Sequence, residues 1–119
     1  MTKRTGPTNY QLQQLIVELQ AKAVTSRFWK RIMEDVARST RQRRIVNIYT
    51  LDKVAQDGET IIVPGKVLSV GNISKKVNVA ALNFSTEAKL KINQAKGRTL
   101  SIQELIKENP QGKNVRIIG

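Results

Sequence analysis

The chain contains no cysteine and no histidine. The first absence removes disulfide staples and thiolate metal sites, and a cysteine-free composition fits a reducing cytosol. The two absences together remove the commonest general base, the thiolate nucleophile and the usual zinc ligands. Aromatic residues are scarce, amounting to Tyr10, Phe28, Trp29, Tyr49 and Phe84. The core must therefore be aliphatic, and a row of base-stacking rings is not expected. No apolar run approaches the roughly 18 residues of a membrane-spanning helix. The basic opening Met1-Thr2-Lys3-Arg4 leads into no apolar stretch of the kind a signal peptide needs. Acidic residues are few and scattered. Asp52, Asp57 and Glu59 lie near one another, but Asp57-Gly58 reads as a turn and Glu59 as its solvated neighbour. An oxygen-ligand metal site needs several convergent carboxylates, and none is expected. The composition points away from an enzyme, a cofactor, a small-molecule substrate and a membrane.

What the chain does have is positive charge. Its 119 residues carry 21 Lys and Arg against 9 Asp and Glu, a net charge of +12 with a pI near 10.5. A small folded domain with that charge repels itself, and a polyanionic partner supplies the compensation. The length suits one domain, with a modest core possible without staples.

Periodicity divides the chain. Residues 1–8, with Lys3, Arg4 and Gly6-Pro7, read as a basic flexible arm, and residues 9–119 as a single domain. Within it, 9–44 forms a helical hairpin and 45–119 an α/β core. Leu12, Leu15, Ile16 and Leu19 fall at the spacing of one buried stripe, which predicts a helix over 9–23 capped by Thr8 or Asn9. Trp29, Ile32, Met33 and Val36 form the stripe of a second helix over 27–39, capped by Ser26, so Trp29 should be buried rather than stacked on a base.

Beyond Arg44 the grammar changes. Strands are expected at 45–48, 60–63, 66–68, 77–82 and 115–118, with 99–100 as a short extended piece. Pro64-Gly65 is expected to turn the chain and Gly71-Asn72 to break it. The run Val77–Leu82 is apolar enough for a strand buried on both faces. Thr50, Ser85 (or Thr86) and Ser101 each follow an extended piece and open a helix, the second closed by Gly97. Ser101 also has Glu104 at capping-box spacing. The fold class is α/β, built of strand and helix units after an N-terminal helical hairpin.

The basic residues are unevenly placed. Residues 1–44 hold ten basic and three acidic side chains, so +7 of the total +12 sits there. Local acids can pair with part of the second helix: Asp35 with Arg31 and Glu34 with Arg38, both at i,i+4. Arg41, Arg43 and Arg44 have no such acid, and the arginine fork suits phosphate. Gly65-Lys66 and Gly71 to Lys76 lack the P-loop pattern, but turn amides beside lysine can hold a backbone phosphate. The residues expected to contact a polyanion are Lys3, Arg4, Arg27, Lys30, Arg31, Arg38, Arg41, Arg43, Arg44, Lys66, Lys75, Lys76, Arg98, Lys113 and Arg116. Their spread over several faces suits a protein embedded in a folded polyanion. Charge alone does not separate RNA from DNA, so a DNA-coating, chromatin-type protein is the alternative.

Four stretches carry a more specific signal: Thr8-Asn9 with Leu12, Leu15 and Leu19; Trp29 through Arg44 into Val46-Asn47; Val63-Pro64-Gly65-Lys66-Val67-Leu68 followed by Lys75-Lys76-Val77; and Ser101 to Pro110 ending in Val115-Arg116-Ile117-Ile118-Gly119. In these the chain resembles the archaeal and eukaryotic large-subunit ribosomal protein family L-eighteen-e, a fold relative of bacterial large-subunit ribosomal protein fifteen. The pattern departs at Ser69, where glycine is expected, and the short ending resembles archaeal members. The resemblance implies an irregular superhelix of strand-strand-helix units. It implies a structural, non-enzymatic role in the cytoplasmic ribosome. The implied partners are large-subunit ribosomal RNA and neighbouring ribosomal proteins.

Overall fold

The computed structural model describes the backbone over residues 7–37 and 44–118, and the side chains over 13–37 and 45–118. Two helices, α1 (Pro7–Ala23) and α2 (Arg27–Ala37), come first. They are followed by β1 (Arg44–Asn47), α3 (Ile48–Val54), β2 (Thr60–Leu68), β3 (Asn78–Phe84), α4 (Thr86–Gln94), β4 (Arg98–Ser101), α5 (Ile102–Glu108) and β5 (Val115–Ile117). All described strand pairs are parallel, in the order β1-β2-β3-β4. β5 also joins β2, along Thr60–Ile62, while β1 takes Gly65–Leu68. β2 is thus the central strand, with β3 on one side and β1 and β5 sharing the other. The mixed α/β fold expected from the sequence is present: two N-terminal helices, then parallel strand and helix units.

Alternation along the central strands builds two cores. Ile61, Val63, Val79 and Ala81 point to one face and pack with Leu51, Ala88 and Ile92 under α3 and α4. Ile62, Ala80 and Leu100 point to the other and pack with Leu15, Leu19, Trp29, Ile32, Val36, Leu105 and Ile106 under α1, α2 and α5. A strand buried on both faces must be apolar at every position, as Val79-Ala80-Ala81 is. The helical stripes fall as expected, with Ile16 and Met33 half-buried at their borders. Leu12 lies outside the described side chains.

Trp29 is fully buried. Its backbone N–H reaches the Ser26 cap at 3.3 Å, and its indole Nε1 donates to the carbonyl of Pro110 at 2.7 Å. Phe28 meets it edge to face, with centroids 4.7 Å apart. Gly112, in the left-handed region at φ 66°, packs on the Phe28 ring, where a Cβ would lie 2.5 Å from Cδ2. The start of α2 therefore receives the 109–112 loop.

Several local expectations need correction. α1 begins at Pro7, two residues before the expected start. Proline suits the first helical position, where its missing N–H is no loss. Pro64-Gly65 does not turn the chain. Both are buried inside β2, whose register with β3 shifts between Val63 and Lys66. A bulge tolerates a residue with no N–H to donate. Thr50 is not a cap: α3 starts at Ile48, and the cap position is Asn47, whose side chain makes no capping bond. At the end of α4 the left-handed residue is Lys96, at φ 72°. Gly97 is required for a different reason, since a Cβ there would collide with the Val77 carbonyl oxygen. The left-handed residue after β2 is Gly71, at φ 96°, so Ser69 breaks no requirement.

The crossover from β2 to β3, residues 69–77, contains no helix. Parallel strands are usually joined through one, and here side chains hold the connection instead. Asp52 accepts from Ser74 N at 3.0 Å, Asp57 accepts from Lys76 N at 2.6 Å, and two lysines clamp carbonyls, as described below. The order β2, β3, α4 is thus a strand-strand-helix unit.

Ser101 and Glu104 form the expected capping box: Ser101 Oγ accepts from Glu104 N at 3.1 Å, and Glu104 Oε1 accepts from Ser101 N at 2.8 Å. The Ser101 backbone N–H holds the Glu104 carboxyl below its ordinary range, helped by the Ser101 hydroxyl and by Arg98 and Lys107.

Two outcomes follow. Trp29→Ala should cost about 3–5 kcal/mol in urea unfolding, the range for emptying a large buried aromatic site. Because the folded-state pKa of Glu104 is depressed, its charge stabilises the protein above the ordinary carboxylate range, and this is lost as pH falls through the folded value. Glutamine keeps the box but not the charge. Glu104→Gln should therefore lose roughly 0.3–1 kcal/mol at neutral pH, the scale for an exposed charge at a helix start. Unfolding at a series of pH values should show the two proteins converging in acid.

Candidate nucleic-acid interface

The expected contact residues separate into groups according to what they touch. Arg27, Lys30 and Arg31 stand exposed on α2 at i, i+3 and i+4, so they share one face. Arg31 Nε lies 3.5 Å from Asp35 Oδ2, the pairing expected from the sequence. Arg27 and Lys30 have no acidic partner among the described residues. Arg44 is the first residue of β1, opposite Gly65. Lys3, Arg4, Arg38, Arg41 and Arg43 lie outside the described residues, as does the pairing of Glu34 with Arg38.

Lys66 occupies an unusual place. β2 is the central strand, yet Lys66 is exposed. In register beside it are Ile45 of β1, 64% exposed, and Asn83 of β3, also exposed. The next row, Val46, Val67 and Phe84, faces the core under α3 and α4. The row Ile45-Lys66-Asn83 is left uncovered by any described helix. Neither Ile45 nor Asn83 was expected at the interface. Their place depends on strand register, which a 17-residue separation in the sequence does not reveal.

Of the basic residues near the strand starts, the two arginines are engaged. Arg98 Nη2 meets Glu108 Oε2 at 2.7 Å. Arg116 Nε meets Glu59 Oε2 at 2.9 Å, and its Nη1 donates to the Val54 carbonyl at 3.0 Å. Glu59 is therefore not the free, solvated neighbour expected of it. Its other oxygen accepts from Gln56 N at 2.9 Å. Lys76 and Lys113 are exposed, with side chains unpaired among the described residues. Among the described residues, no three acidic side chains converge as a metal site would require. No described helix is long and apolar enough to cross a membrane.

Lys75 is also engaged, but with backbone. Its Nζ donates to the carbonyls of Asp52 at 2.6 Å and Ala55 at 2.8 Å, at the end of α3. Lys91 does the same for the crossover, donating to Ser69 O at 2.7 Å and Gly71 O at 2.6 Å. A lysine at a helix end satisfies carbonyls that have no partner within the helix. Lys75→Met keeps the stem and removes the donor. It should lower stability by about 1–3 kcal/mol, since carbonyls lose a charged partner. It should leave the salt dependence of nucleic-acid binding unchanged, a combination that thermal melting and binding titrations read separately.

The geometry can be set beside known proteins. The family model described as "Ribosomal protein 60S L18 and 50S L18e" matches residues 2–119. The chain is 42% identical over 116 residues to the large ribosomal subunit protein eL18 of Pyrobaculum aerophilum, covering 96% of this chain and 95% of that protein. It is 44% identical over 121 residues to the eL18 of Methanopyrus kandleri, with the same shares covered. With the eL18 of Methanoregula boonei the identity is 41% over 120 residues, covering 99% of each. A match across nearly the whole chain, on a fold of two helices and parallel strand and helix units, leads to one assignment: the chain belongs to the family of ribosomal protein 60S L18 and 50S L18e.

Proposed function

We propose that this protein is a structural constituent of the large ribosomal subunit in the cytoplasm. It binds folded ribosomal RNA through Lys and Arg contacts to phosphate and has no catalytic role. One observation carries this reading: after internal pairing, exposed basic side chains remain on several separate elements. Arg27 and Lys30 lie on α2, Lys66 on β2, Lys76 before β3 and Lys113 before β5. A single duplex groove would meet one face, whereas a folded RNA packed around the protein meets several. Lys3, Arg4, Arg38, Arg41, Arg43 and Arg44 add to these contacts. Arg31, Arg98 and Arg116 contribute to the surface field while also holding the fold, whereas Lys75 is turned to the α3 carbonyls. Neighbouring ribosomal proteins are the second class of partner, and the chain from the start of α1 acts as one unit with the basic segment before it attached.

The test separates charge that binds from charge that folds. Replacing Arg27, Lys30 and Lys66 together by Gln should leave the melting temperature nearly unchanged, since exposed charges contribute only about 0–1 kcal/mol. It should flatten the plot of log affinity against log salt by about two units, each lost phosphate contact being worth roughly 0.7–0.9. An unchanged slope would remove these residues from the interface. In parallel titrations, large-subunit ribosomal RNA should bind more tightly than duplex DNA at equal salt. Equal affinity would favour a DNA-coating role.

A further inference from the structure

Tyr49 is an anomaly in this aromatic-poor chain. Trp29 is buried and Phe28 and Phe84 are half-buried against the cores, yet Tyr49 is 53% exposed. It sits on the first turn of α3, and no hydrogen bond engages its hydroxyl among the described residues. Beside it Val70 is 60% exposed. The two are joined through the backbone: Tyr49 N donates to Val70 O at 3.1 Å. Gly71 packs directly beneath, so closely that a Cβ there would lie 2.5 Å from Tyr49 Cβ. The positive φ of Gly71 makes that approach possible.

This pair of exposed side chains rests on a fixed base. Lys91 reaches up from α4 and binds the carbonyls on both sides of Val70, those of Ser69 and Gly71. A surface loop held by three such bonds has little freedom left to lose on binding, and preorganisation of this kind favours a ligand. The surroundings are cationic. Lys53 is exposed one turn along α3, at i+4 from Tyr49 and on its face. The nearby acid, Asp52, turns its carboxylate to Ser74 N and Oγ and makes no ion pair with Lys53 among the described residues. An apolar, electron-rich ring beside an ammonium that makes no ion pair among the described residues suits a ligand with a flat face and a phosphate, which an unpaired nucleotide has.

We infer that Tyr49 and Val70 form a rigid shelf on which one unpaired base of the ribosomal RNA stacks, with Lys53 on a flanking phosphate. This rests on the ribosomal-RNA reading above and adds a contact that charge does not make. The two terms have different signatures. Stacking is insensitive to salt, whereas phosphate contacts set the salt slope.

The experiment measures binding of the full chain to large-subunit ribosomal RNA across a salt series. Tyr49→Ala keeps the Cβ that packs on Gly71, so its melting temperature should match wild type. Its affinity should fall roughly 5- to 150-fold, the range for losing one stacked base, with the slope unchanged. Tyr49→Phe should bind within about twofold of wild type, because stacking needs the ring and not the hydroxyl. Lys53→Gln should flatten the slope by about 0.7–0.9. Unchanged affinity of Tyr49→Ala overturns the shelf, as does an equal loss in Tyr49→Phe, which would mean a hydroxyl bond. An unchanged slope for Lys53→Gln overturns the flanking phosphate contact. If Tyr49→Ala binds free RNA normally but enters subunits poorly, the shelf meets a protein neighbour and the inference is wrong. A wild-type chain showing no preference for ribosomal RNA would instead bring down the broader reading, and this inference with it.

Discussion

The hydrogen bond from the Trp29 indole to the Pro110 carbonyl joins parts of the chain that are 81 residues apart. Around it the same ring fills the core between the sheet and α1, α2 and α5. A buried Trp N–H without a partner carries a desolvation cost, so ring and carbonyl must come together for either to be buried cheaply. That requirement sets the path of the 109–112 loop, which in turn delivers β5 to the free half of the β2 edge. The helical hairpin is therefore more than an appendage to the sheet, because the first turn of α2 positions the strand that completes it.

Positive charge is handled in two ways. Some cations are turned inward to repair the fold: Lys75 and Lys91 cover bare carbonyls, and Arg98 and Arg116 cross-link distant segments through Glu108 and Glu59. Others, such as Lys66 on the central strand, are held out where no described acid compensates them. Few acids are present, and the described ones are largely committed to turns, caps and these pairs. A net charge of +12 thus survives folding as an external field.

Much of the fold was legible because burial leaves a period in the sequence. The stripes of α1 and α2, the continuous Val79-Ala80-Ala81 run and the Ser101 capping box were all readable from local spacing. The misreadings occur where tertiary context overrides local chemistry. Pro64-Gly65 has turn composition, yet a bulge in a central strand accommodates it. Thr50 is a good capping residue, but Asn47 stands at the point where β1 ends. The candidate interface was less legible. A lysine's charge is visible in the sequence, whereas its partner is not: Lys75 and Lys66 look alike until the positions of Asp52 and Asn83 in space are known.

The way β2 is paired also bears on how the protein folds. Its second half pairs with the nearby β1, but its first half waits for β5, a segment far along the sequence, so the central strand is finished only late. The neighbouring β3-α4-β4 unit needs no such distant closure. Closing long loops costs chain entropy before any contact repays it. The β1 to β4 region, joined by short separations, is therefore the natural nucleus, with β5 and the contact between Trp29 and Pro110 closing late. Until β5 docks, the first half of β2 presents a bare hydrogen-bonding edge, the kind of surface that pairs with other chains. For a protein of this charge, mutual repulsion between copies is one safeguard during that interval.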